Sequence, residues 1–447
     1  MSAWQSGRFS QDELETSMPF DPKRRLGGSG GPALLDRVLT ALLAWEPPRK
    51  RARRPADTER LRTATDAFLA NLLAARRHRV SSGVFIAMPF DGNYYEGTGL
   101  TLSPMQVVRD FLVATDLAEG QKGFNRSDQV EGFSLRAYAR RTRMRATTKL
   151  AVWMLDAGID FQAPLRAAPS GLALPPADII QISDEERGIG GEPPDVTASR
   201  GVLEEVNRIN READLDLPAD AWARILQRRS GKTDDQDRLA AGDRDRVALY
   251  RKFVRNWQEG GRLYGGWWQT VPKSERTNLT IDGQTTVELD YARLHPTILY
   301  AQRGLVLDAD PYTVPGFDTP GMREVGKRTF NRLLNGKAVR LQPDQQDLSQ
   351  LGPDIPFNAF VEALRTKHLP IADAFGTKVS ARLQRVDSDI IVEVLRRTSD
   401  AGVPALPIHD SVIVPETEEA LARTAMSEAY RHVVGHEPGP IQLVGGG

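Results

Sequence analysis

The spacing of apolar residues along the chain predicts a mixture of helices and strands. Apolar residues recur at helical spacing over Leu34–Trp45 and Thr58–Arg77, which predicts two helices. The segment GVFIAMPF, which starts at Gly83, predicts a strand. Ser103–Pro104 predict the cap and first turn of a helix that continues to Gly120.

The rest of the chain predicts further helices, joined by segments of turn-forming residues. Residues 165–220 are rich in proline, glycine and acids, which is typical of a connector with short helices. A helical stretch is predicted over Asp237–Trp257, and a later helix ends near Gly402. The buried face of that later helix is predicted from apolar residues at helical spacing. They are Leu383, Val386, Ile390 and Val394.

Two acidic residues stand where strands are predicted to end. Asp290 lies in VELDYARLHPTILYA, where a strand gives way to a helix, and Asp410 lies in the hairpin-like PALPIHDSVIVP. Taken singly, the first is explained by a helix N-cap and the second by a turn. Two acids at the ends of separate strands can also hold a pair of divalent cations, the recurring apparatus of nucleotidyl transfer.

Composition limits the number of domains and the chemistry. A chain of 447 residues is long enough for two or three domains. Lys+Arg and Asp+Glu both number 59, but residues 48–80 hold ten basic and three acidic residues, whereas residues 181–220 hold four and eleven. The absence of cysteine excludes disulfides, thiolate zinc sites and a cysteine nucleophile.

The start of the chain predicts a flexible leader over residues 1–32, which ends in the glycine-rich GGSGGP. The leader lacks the apolar core of a signal peptide, and no run in the chain approaches about eighteen apolar residues. We therefore expect no membrane partner and a cytoplasmic location. Residues 1–230 show no acidic cluster that would suit a proofreading nuclease.

Residues 83–157 combine a helix, a turn and an arginine-rich extended segment, and this order resembles a winged-helix module. Such a module would lay its helix along a DNA groove and its ribbon on the phosphate backbone. Residues 136–149 contain six basic and no acidic residues, among them Arg140, Arg143 and Arg145. A small structural domain with an exposed arginine-rich face explains the same pattern.

Two further segments offer basic residues to a ligand. GGRLYGGWWQTVPKSER places Arg262 among glycines and aromatic residues that could lie against a nucleic-acid strand, although buried tryptophans explain the cluster equally well. In GMREVGKRTFNRLLNGKAVR, Arg323 and Lys327 share a helix face, so both can reach one triphosphate. Arg328 and Asn331 flank them, and a solvated helix surface is the alternative.

These segments together resemble motifs of the family A DNA polymerases, the bacterial DNA polymerase I group, and of the related single-subunit phage-type RNA polymerases. The ELDY of Glu288–Tyr291 looks like the first palm motif, with Asp290 as its metal-binding aspartate. Arg323, Lys327 and Gly336 are similar to the motif of the fingers helix.

The remaining motifs follow in the family's order. Gln384 with Asp389–Ile391 is similar to the helix before the last motif, and Ile408–Ser411 looks like that last motif itself. Gly261–Leu263 is similar to a primer-contacting segment just ahead of the palm. The resemblance covers residues 260–416 and nothing before about residue 230.

The resemblance implies a fold and its domains. The fold is α+β, a right-hand polymerase with a palm, reduced fingers and a helical thumb, preceded by an N-terminal helical and winged-helix-like domain. The implied bounds are 1–32 for the leader, 33–160 for the nucleic-acid-binding domain, 161–235 for the connector and thumb, and 236–447 for the palm and fingers.

The resemblance also implies a DNA polymerase without proofreading activity that extends a 3′-hydroxyl with dNTPs. Its partners would be a DNA primer-template and nucleoside triphosphates, with RNA as an alternative to DNA. Asp290, Asp410 and the backbone carbonyl of Tyr291 would hold two Mg²⁺ ions, with Mn²⁺ as an alternative. The residues implied for nucleotide binding are Arg323, Lys327, Arg328, Asn331 and His295. The residues implied for nucleic-acid binding are Arg262, Gln384 and His409, in addition to Arg140, Arg143 and Arg145.

The sequence departs from the family pattern in ways that leave alternatives open. Only 120 residues separate Asp290 from Asp410, so the fingers must be small. Asn335 replaces the usual aromatic residue before the glycine of the fingers motif. His295 stands at the family's sugar-sensing position, where its ring could exclude a 2′-hydroxyl or be a packed, hydrogen-bonded histidine. Ser411 after Asp410 is typical of the phage RNA enzymes. A primase or RNA polymerase, a template-independent transferase and an inactive palm that binds nucleic acid are the alternatives.

Overall fold

The computed structural model forms two compact units, each built from separate segments of the chain. The first unit comprises Met1–Ala177, Arg211–Ala248 and Gly266–Gly283, and the second comprises Asp178–Asn210, Leu249–Gly265 and Gln284–Gly447. This division differs from the four consecutive domains expected from the sequence. The structure describes residues 9–10, 13–14, 17–28, 30–49, 51–77, 84–90, 92–95, 98–130, 133–159, 172–173, 179–182, 191–230, 246–336, 341–351 and 356–444.

The strands and helices are numbered in chain order. The strands are β1 Ser17–Pro19, β2 Arg25–Leu26, β3 Phe85–Met88, β4 Ala118–Gln121, β5 Phe124–Val130, β6 Phe133–Arg140, β7 Thr142–Ala146, β8 Leu172–Ala173, β9 Ile180–Ile182, β10 Leu215–Asp216, β11 Tyr250–Val254, β12 Asn256–Tyr264, β13 Thr280–Ile281, β14 Gln284–Tyr291, β15 Leu406–Ile408, β16 Ser411–Pro415 and β17 Ile441–Leu443. The helices are α1 Gly30–Trp45, α2 Pro55–Arg77, α3 Leu102–Ala114, α4 Thr148–Asp156, α5 Pro194–Glu212, α6 Ala219–Ser230, α7 Lys273–Arg276, α8 Leu294–Ala301, α9 Met322–Asn335, α10 Gln345–Leu351, α11 Phe357–Lys367, α12 Ser380–Asp400 and α13 Glu419–Val434. The fold thus contains both helices and strands, which agrees with the α+β class.

The first unit contains a sheet with the strand order β1-β3-β7-β4. β1 runs parallel to β3, whereas the other neighbours are antiparallel. β5 and β6 form a separate antiparallel hairpin. The core combines residues of β3 with the apolar faces of α1, α2 and α3. Its members include Leu34, Val38, Leu42, Phe68, Leu72, Ile86, Met105 and Phe111.

Part of the expected leader is folded into this core. β1 pairs with β3, and Met18 and Phe20 are buried. Gly30, which falls in the expected flexible linker, is the first residue of α1. A Cβ atom on Gly30 would overlap the carbonyl oxygen of Ala157, so only glycine allows this close approach.

The predicted strand and helix near residue 100 are both present, with one change at the helix start. GVFIAMPF contains β3, as expected. The helix begins at Leu102, and its N-cap is Thr101 rather than Ser103. The helix also ends at Ala114, earlier than expected, because β4 starts at Ala118.

The second unit contains an antiparallel sheet in which β14 lies between β16 and β17, and β15 pairs with the far side of β16. α13 packs on this sheet through Tyr291, whose hydroxyl donates to the carbonyl of Met426 at 2.5 Å. α12 spans the predicted residues, and Leu383, Ile390 and Val394 are buried as expected, whereas Val386 is only half-buried.

β11 and β12 form an antiparallel hairpin in the second unit, and β9 runs parallel to β11. The prediction of a helix over Asp237–Trp257 is wrong, because this hairpin includes the C-terminal part of that stretch. Residues 237–245 lie outside the described residues. Along β11, Arg251 and Phe253 are buried while Lys252 and Val254 are exposed. Alternation with a period of two is typical of a strand with one covered face.

Among the helices that the structure describes, none is both long enough and apolar enough to cross a lipid bilayer.

Candidate active site

Asp290 lies near the end of a strand that is paired on both sides. It is directly opposite Ser411 on β16 and Gln442 on β17. β14 ends at Tyr291 and α8 begins at Leu294, so the predicted change from strand to helix is present. Pairing on both edges fixes the backbone of Asp290, and its side chain is half-buried.

Asp410 lies in the turn of the β15–β16 hairpin, beside the end of β14. Asp410 immediately precedes Ser411, the residue paired with Asp290, and the amide of Tyr291 approaches the Asp410 carbonyl oxygen at 3.5 Å. Cross-strand neighbours of this kind have Cα atoms about 4.5–5.5 Å apart. The structure therefore brings the two acids to the same end of two paired strands.

The residues beside Asp410 stabilise the hairpin. His409 has a positive φ of 56°, a backbone conformation that residues other than glycine adopt mainly in tight turns. Its side chain is exposed, and its ring lies 6.5 Å from that of Tyr264. Ser411 donates a hydrogen bond of 2.8 Å to Glu288 on β14. Ser411 is thus engaged within the sheet, while His409 and Asp410 keep contact with solvent.

The oxygen atoms at this end of the sheet suit a hard divalent cation. The two carboxylates and the Tyr291 carbonyl are the ligand types that Mg²⁺ prefers. Within the described residues, no group of three or more His, Asp or Glu side chains is arranged to hold a metal ion. Two carboxylates are nevertheless a sufficient protein contribution, because Mg²⁺ usually keeps several waters or takes oxygens from a phosphate ligand. The donor set at Asp290 and Asp410 therefore fits Mg²⁺.

Tyr312, in the segment between α8 and α9, lies within electrostatic range of both Asp410 and α9. Burial raises the pKa of the Tyr312 phenol to about 12, and the charge of Asp310 adds to this rise. The charges of Arg323 on α9 and of Asp410 also act on this phenol, with opposite signs. The Arg323 guanidinium lies 5.4 Å from the centre of the Tyr312 ring. Tyr312 therefore connects the first turn of α9 to the surroundings of Asp410.

α9 presents an exposed polar face, as the helical spacing predicted. Arg323, Lys327 and Asn331 are exposed. Arg323 donates to Asp310 at 2.8 Å. Lys327 makes no hydrogen bond or ion pair with any residue in the described part of the chain, and its side chain is exposed.

Arg328 differs from these residues because it has an internal partner. Arg328 and Arg332 both donate to Asp347 of α10, at 2.9 Å and 2.6 Å. The Asp347 side chain is completely buried. The expected nucleotide-binding role of Arg328 is therefore not supported by its position, since its guanidinium neutralises a buried carboxylate.

His295 and Arg262 share one partner, Asp387 of α12. His295 Nε2 lies 2.9 Å from the Asp387 carboxylate, and Arg262 Nη2 donates to the same carboxylate at 2.6 Å. Burial tends to lower the pKa of Arg262, but the hydrogen bond and charge of Asp387, and then the charge of Asp410, raise it overall. His295 is thus a hydrogen-bonded histidine, and Arg262 lies within electrostatic range of Asp410.

The tryptophans of the glycine-rich segment are structural residues of the first unit. Trp267 and Trp268 are buried, and Trp267 packs against Trp222 with ring centres 5.4 Å apart. This result favours the buried-tryptophan explanation over stacking on nucleic acid. In the second unit, Gln384 of α12 is half-buried.

The arginines of the expected ribbon point largely into the first unit. Arg143 is 1% exposed, and its Nε donates to the carbonyl of Leu14 at 2.8 Å. Arg140 is also buried, and Arg145 is ion-paired with Glu119 at 2.7 Å. These positions do not support nucleic-acid contacts by the three arginines, because Arg140 and Arg143 are buried and Arg145 is already ion-paired.

Comparisons with known proteins add little to this geometry. The sequence matches no model of a known protein family, and no curated protein matches it. Among solved structures, one similar chain is the polymerase domain of Pol1 from M. smegmatis in complex with a DNA primer-template and dNTP, at 14% identity and a TM-score of 0.27. The match covers 56% of this chain and 64% of that domain. A likeness this weak supports no argument about function.

The residue of this site that sequence reasoning missed is Asp387. It follows Leu383 by four positions and precedes Ile390 by three, so it lies on the apolar stripe of α12. An acid on such a stripe signals a buried carboxylate, which needs a cationic partner. The partners Arg262 and His295 are 125 and 92 residues away, and local spacing cannot reveal them.

Proposed function

We propose that the protein is a nucleotidyltransferase, a DNA polymerase that extends the 3′-hydroxyl of a primer with deoxynucleoside triphosphates. The observation that carries this proposal is the pairing of Asp290 with Ser411, because it sets Asp290 and Asp410 at one end of two paired strands. Neither a helix cap nor a simple turn requires two acids to meet in this way. The chemistry of the donor set supports a site for Mg²⁺.

The chain's own residues would divide the work between two elements. Asp290 and Asp410, with the Tyr291 carbonyl, would hold the cations. Two Mg²⁺ ions, when bound, supply a more acidic 3′-hydroxyl and neutralise the departing pyrophosphate. Arg323 and Lys327 on the exposed face of α9 would bind the phosphates of the incoming nucleotide by charge.

The same proposal covers the finer architecture. The sheet that carries Asp290 and Asp410 would be the palm, and α9 would belong to small fingers. The first unit would contact nucleic acid in a winged-helix-like manner. The support for this last point is the order of α3, β4 and the β5–β6 hairpin, together with the exposed basic residues Arg49, Arg51 and Arg54 beside α2.

The test is extension of a labelled primer by the purified full chain with Mg²⁺. Four reactions combine a primed DNA template or the primer alone with dNTPs or with NTPs, and the products are sequenced. Template-directed extension with dNTPs is the expected result. Preferential use of NTPs would replace the proposal with an RNA polymerase or primase, and extension without a template would replace it with a template-independent transferase.

An absence of extension in all four reactions would contradict the proposal, provided that the protein is folded. Binding of the primed template without extension would instead favour an inactive palm that binds nucleic acid. A variant Asp410→Asn serves as the internal control in the same reactions, because it removes a charge from a half-exposed turn and should leave the fold intact.

A further inference from the structure

Asp387 is a fully buried carboxylate with two partners from different elements. Its side chain has no exposed surface, whereas those of Arg262 and His295 are each 19% exposed. Arg262 donates from Nη2 at 2.6 Å and from Nε at 3.3 Å, and His295 Nε2 lies at 2.9 Å. A buried carboxylate is stable only with such partners. Asp387 therefore fixes β12 and α8 relative to α12 at this point.

Each partner retains hydrogen-bonding capacity after binding Asp387. Within the described part of the chain, neither Arg262 Nη1 nor His295 Nδ1 forms a hydrogen bond, and both side chains reach solvent. Arg262 also lies within electrostatic range of Asp410. The carboxylate thus orients two polar groups that can meet a ligand near Asp410.

The charge balance indicates which part of a ligand these groups suit. The positive charge of Arg262 is matched by Asp387, so the pair offers directional hydrogen bonds with little net charge. Such a pair suits a neutral acceptor or a single phosphodiester better than a triphosphate. Among the described residues Lys327 on α9 has no ion-pair partner, and Asp310, which pairs with Arg323, is partly exposed rather than completely buried. Lys327 and Arg323 are therefore the better phosphate-binding cations.

We infer that Asp387 is a positioning residue that presents Arg262 and His295 together to the 3′-terminal nucleotide of the bound primer. This inference rests on the proposed function, because it requires a primer terminus beside Asp290 and Asp410. Asp387 itself touches no substrate and acts through Arg262 and His295, which do. Asp387 contributes to primer binding and leaves the binding of the incoming nucleotide unchanged.

The test compares binding and kinetics of five variants of the full chain: Asp387→Asn, Asp387→Glu, Arg262→Gln, the double variant Asp387→Asn/Arg262→Gln, and Glu393→Gln. Glu393 is the matched control, because it is another largely buried acid on α12 that binds two arginines, Arg396 and Arg397. Affinity for a fluorescent primer-template is measured by anisotropy without nucleotide. KM for primer-template and for nucleotide are measured separately, and melting curves verify folding.

Asp387→Asn is expected to weaken primer-template binding about tenfold and to change the KM for nucleotide by less than about twofold, since only a charged hydrogen-bond acceptor is lost. Glu393→Gln should bind the primer-template like the parent protein. If Asp387 acts through Arg262, the double variant is no weaker than Arg262→Gln alone. Asp387→Glu, which keeps the charge, should recover part of the affinity.

Additive losses in the double variant, or an Asp387→Asn protein that binds like Glu393→Gln, would overturn the inference. The comparison of single and double variants by anisotropy measures binding and does not depend on turnover. A parent protein that binds primer-template without extending it would therefore contradict the proposed function while the role of Asp387 is still measured. A parent that extends primers but shows additive losses would contradict the inference alone.

Discussion

Asp290 on β14 lies directly opposite Ser411 on β16, and this pairing places Asp410 beside the end of β14 although 120 residues separate the two acids in sequence. Backbone pairing, rather than flexible side-chain contacts, thus sets the distance between them. β17 pairs with the other edge of β14, at Gln442. A site built on a strand that is paired at both edges is held more firmly than one built on loops.

Replacing Asp410 by asparagine should abolish primer extension and leave the fold intact. The side chain keeps its size but loses the charge that binds a cation, so we expect a loss of kcat on the order of 10³-fold or more. Asp290→Asn should have the same effect. Single-turnover extension with Mg²⁺ is the measurement. The matched control is Asp373→Asn, an acid with a 69% exposed side chain that pairs with Arg303 at the surface. Extension at the parental rate by either active-site variant would contradict the metal-site assignment.

Lys327 and Arg328 are adjacent on α9, but their substitutions should have different effects. Lys327→Ala should raise the KM for nucleotide about tenfold, because an exposed cation that can bind phosphate is lost, and should hardly change the melting temperature. Arg328→Ala should instead destabilise the protein by about 1–3 kcal/mol, because buried Asp347 loses one of its two arginines.

Steady-state kinetics and thermal melting of both variants test this difference. A Lys327→Ala protein with normal KM but lower stability would show that α9 presents a structural rather than a ligand-binding face. If Arg328→Ala raised the KM for nucleotide without loss of stability, Asp347 would not be its main partner in solution.

Local sequence patterns sufficed for the elements that carry the two acids. The apolar run before Asp290 predicted a strand, the residues around Asp410 predicted a hairpin, and the polar face of α9 followed from helical spacing. Each of these features depends on residues that are close in sequence. Such features can be predicted because local composition and spacing are enough to identify them.

Pairings between distant segments could not be predicted in this way. Arg262 and Asp387 are 125 residues apart, and the spacing around each is equally consistent with an exposed residue. β11 was expected to be helical because its apolar and polar residues also suit a short helical face. Its pairing with β9 and β12 decides the conformation, which is a tertiary effect that overrides local preference.

Gly326 of α9 and Gly201 of α5 offer a second matched comparison. A Cβ atom on Gly326 would overlap the carbonyl oxygen of Tyr312, whereas one on Gly201 would meet no atom within 4 Å. Gly326→Ala should therefore destabilise the protein by about 2–4 kcal/mol, because either the helix or the Tyr312 segment must move. Gly201→Ala should be neutral or stabilise it by up to about 1 kcal/mol.

Gly326→Ala is expected to displace the segment that contains Tyr312. This segment also carries Asp310, the partner of Arg323, so the variant should raise the KM for nucleotide as well. Denaturant unfolding and steady-state kinetics provide the two measurements. Equal stability of Gly326→Ala and Gly201→Ala would show that the Tyr312 segment does not pack closely on α9.

His368 is a buried histidine that joins three segments of the second unit. Its Nε2 lies 2.7 Å from the carbonyl oxygen of Pro311, which can only accept, so Nε2 carries the proton. Its Nδ1 lies 3.0 Å from the Tyr300 hydroxyl and accepts from it in the neutral ring. Phe330 packs on the ring with centres 4.9 Å apart. The neutral tautomer therefore satisfies both ring nitrogens.

Stability should consequently fall as the pH drops below the ordinary pKa of histidine. Burial lowers the pKa of His368 in the folded protein; the Pro311 carbonyl opposes this effect and the charge of Lys367 adds to it. Below about pH 6.5 the unfolded chain binds a proton that the folded protein resists, so the free energy of unfolding decreases until the pH reaches the lowered pKa. Above about pH 6.5 both states are neutral, and His368 contributes no pH dependence.

Denaturant unfolding at several pH values between about 5 and 8 measures this effect. His368→Gln is the informative variant, because its amide can donate to Pro311 but does not titrate. It should be less stable than the parent protein at pH 7 and should lose less stability on acidification. A parallel pH dependence in the two proteins would show that His368 is not the titrating group in this pH range.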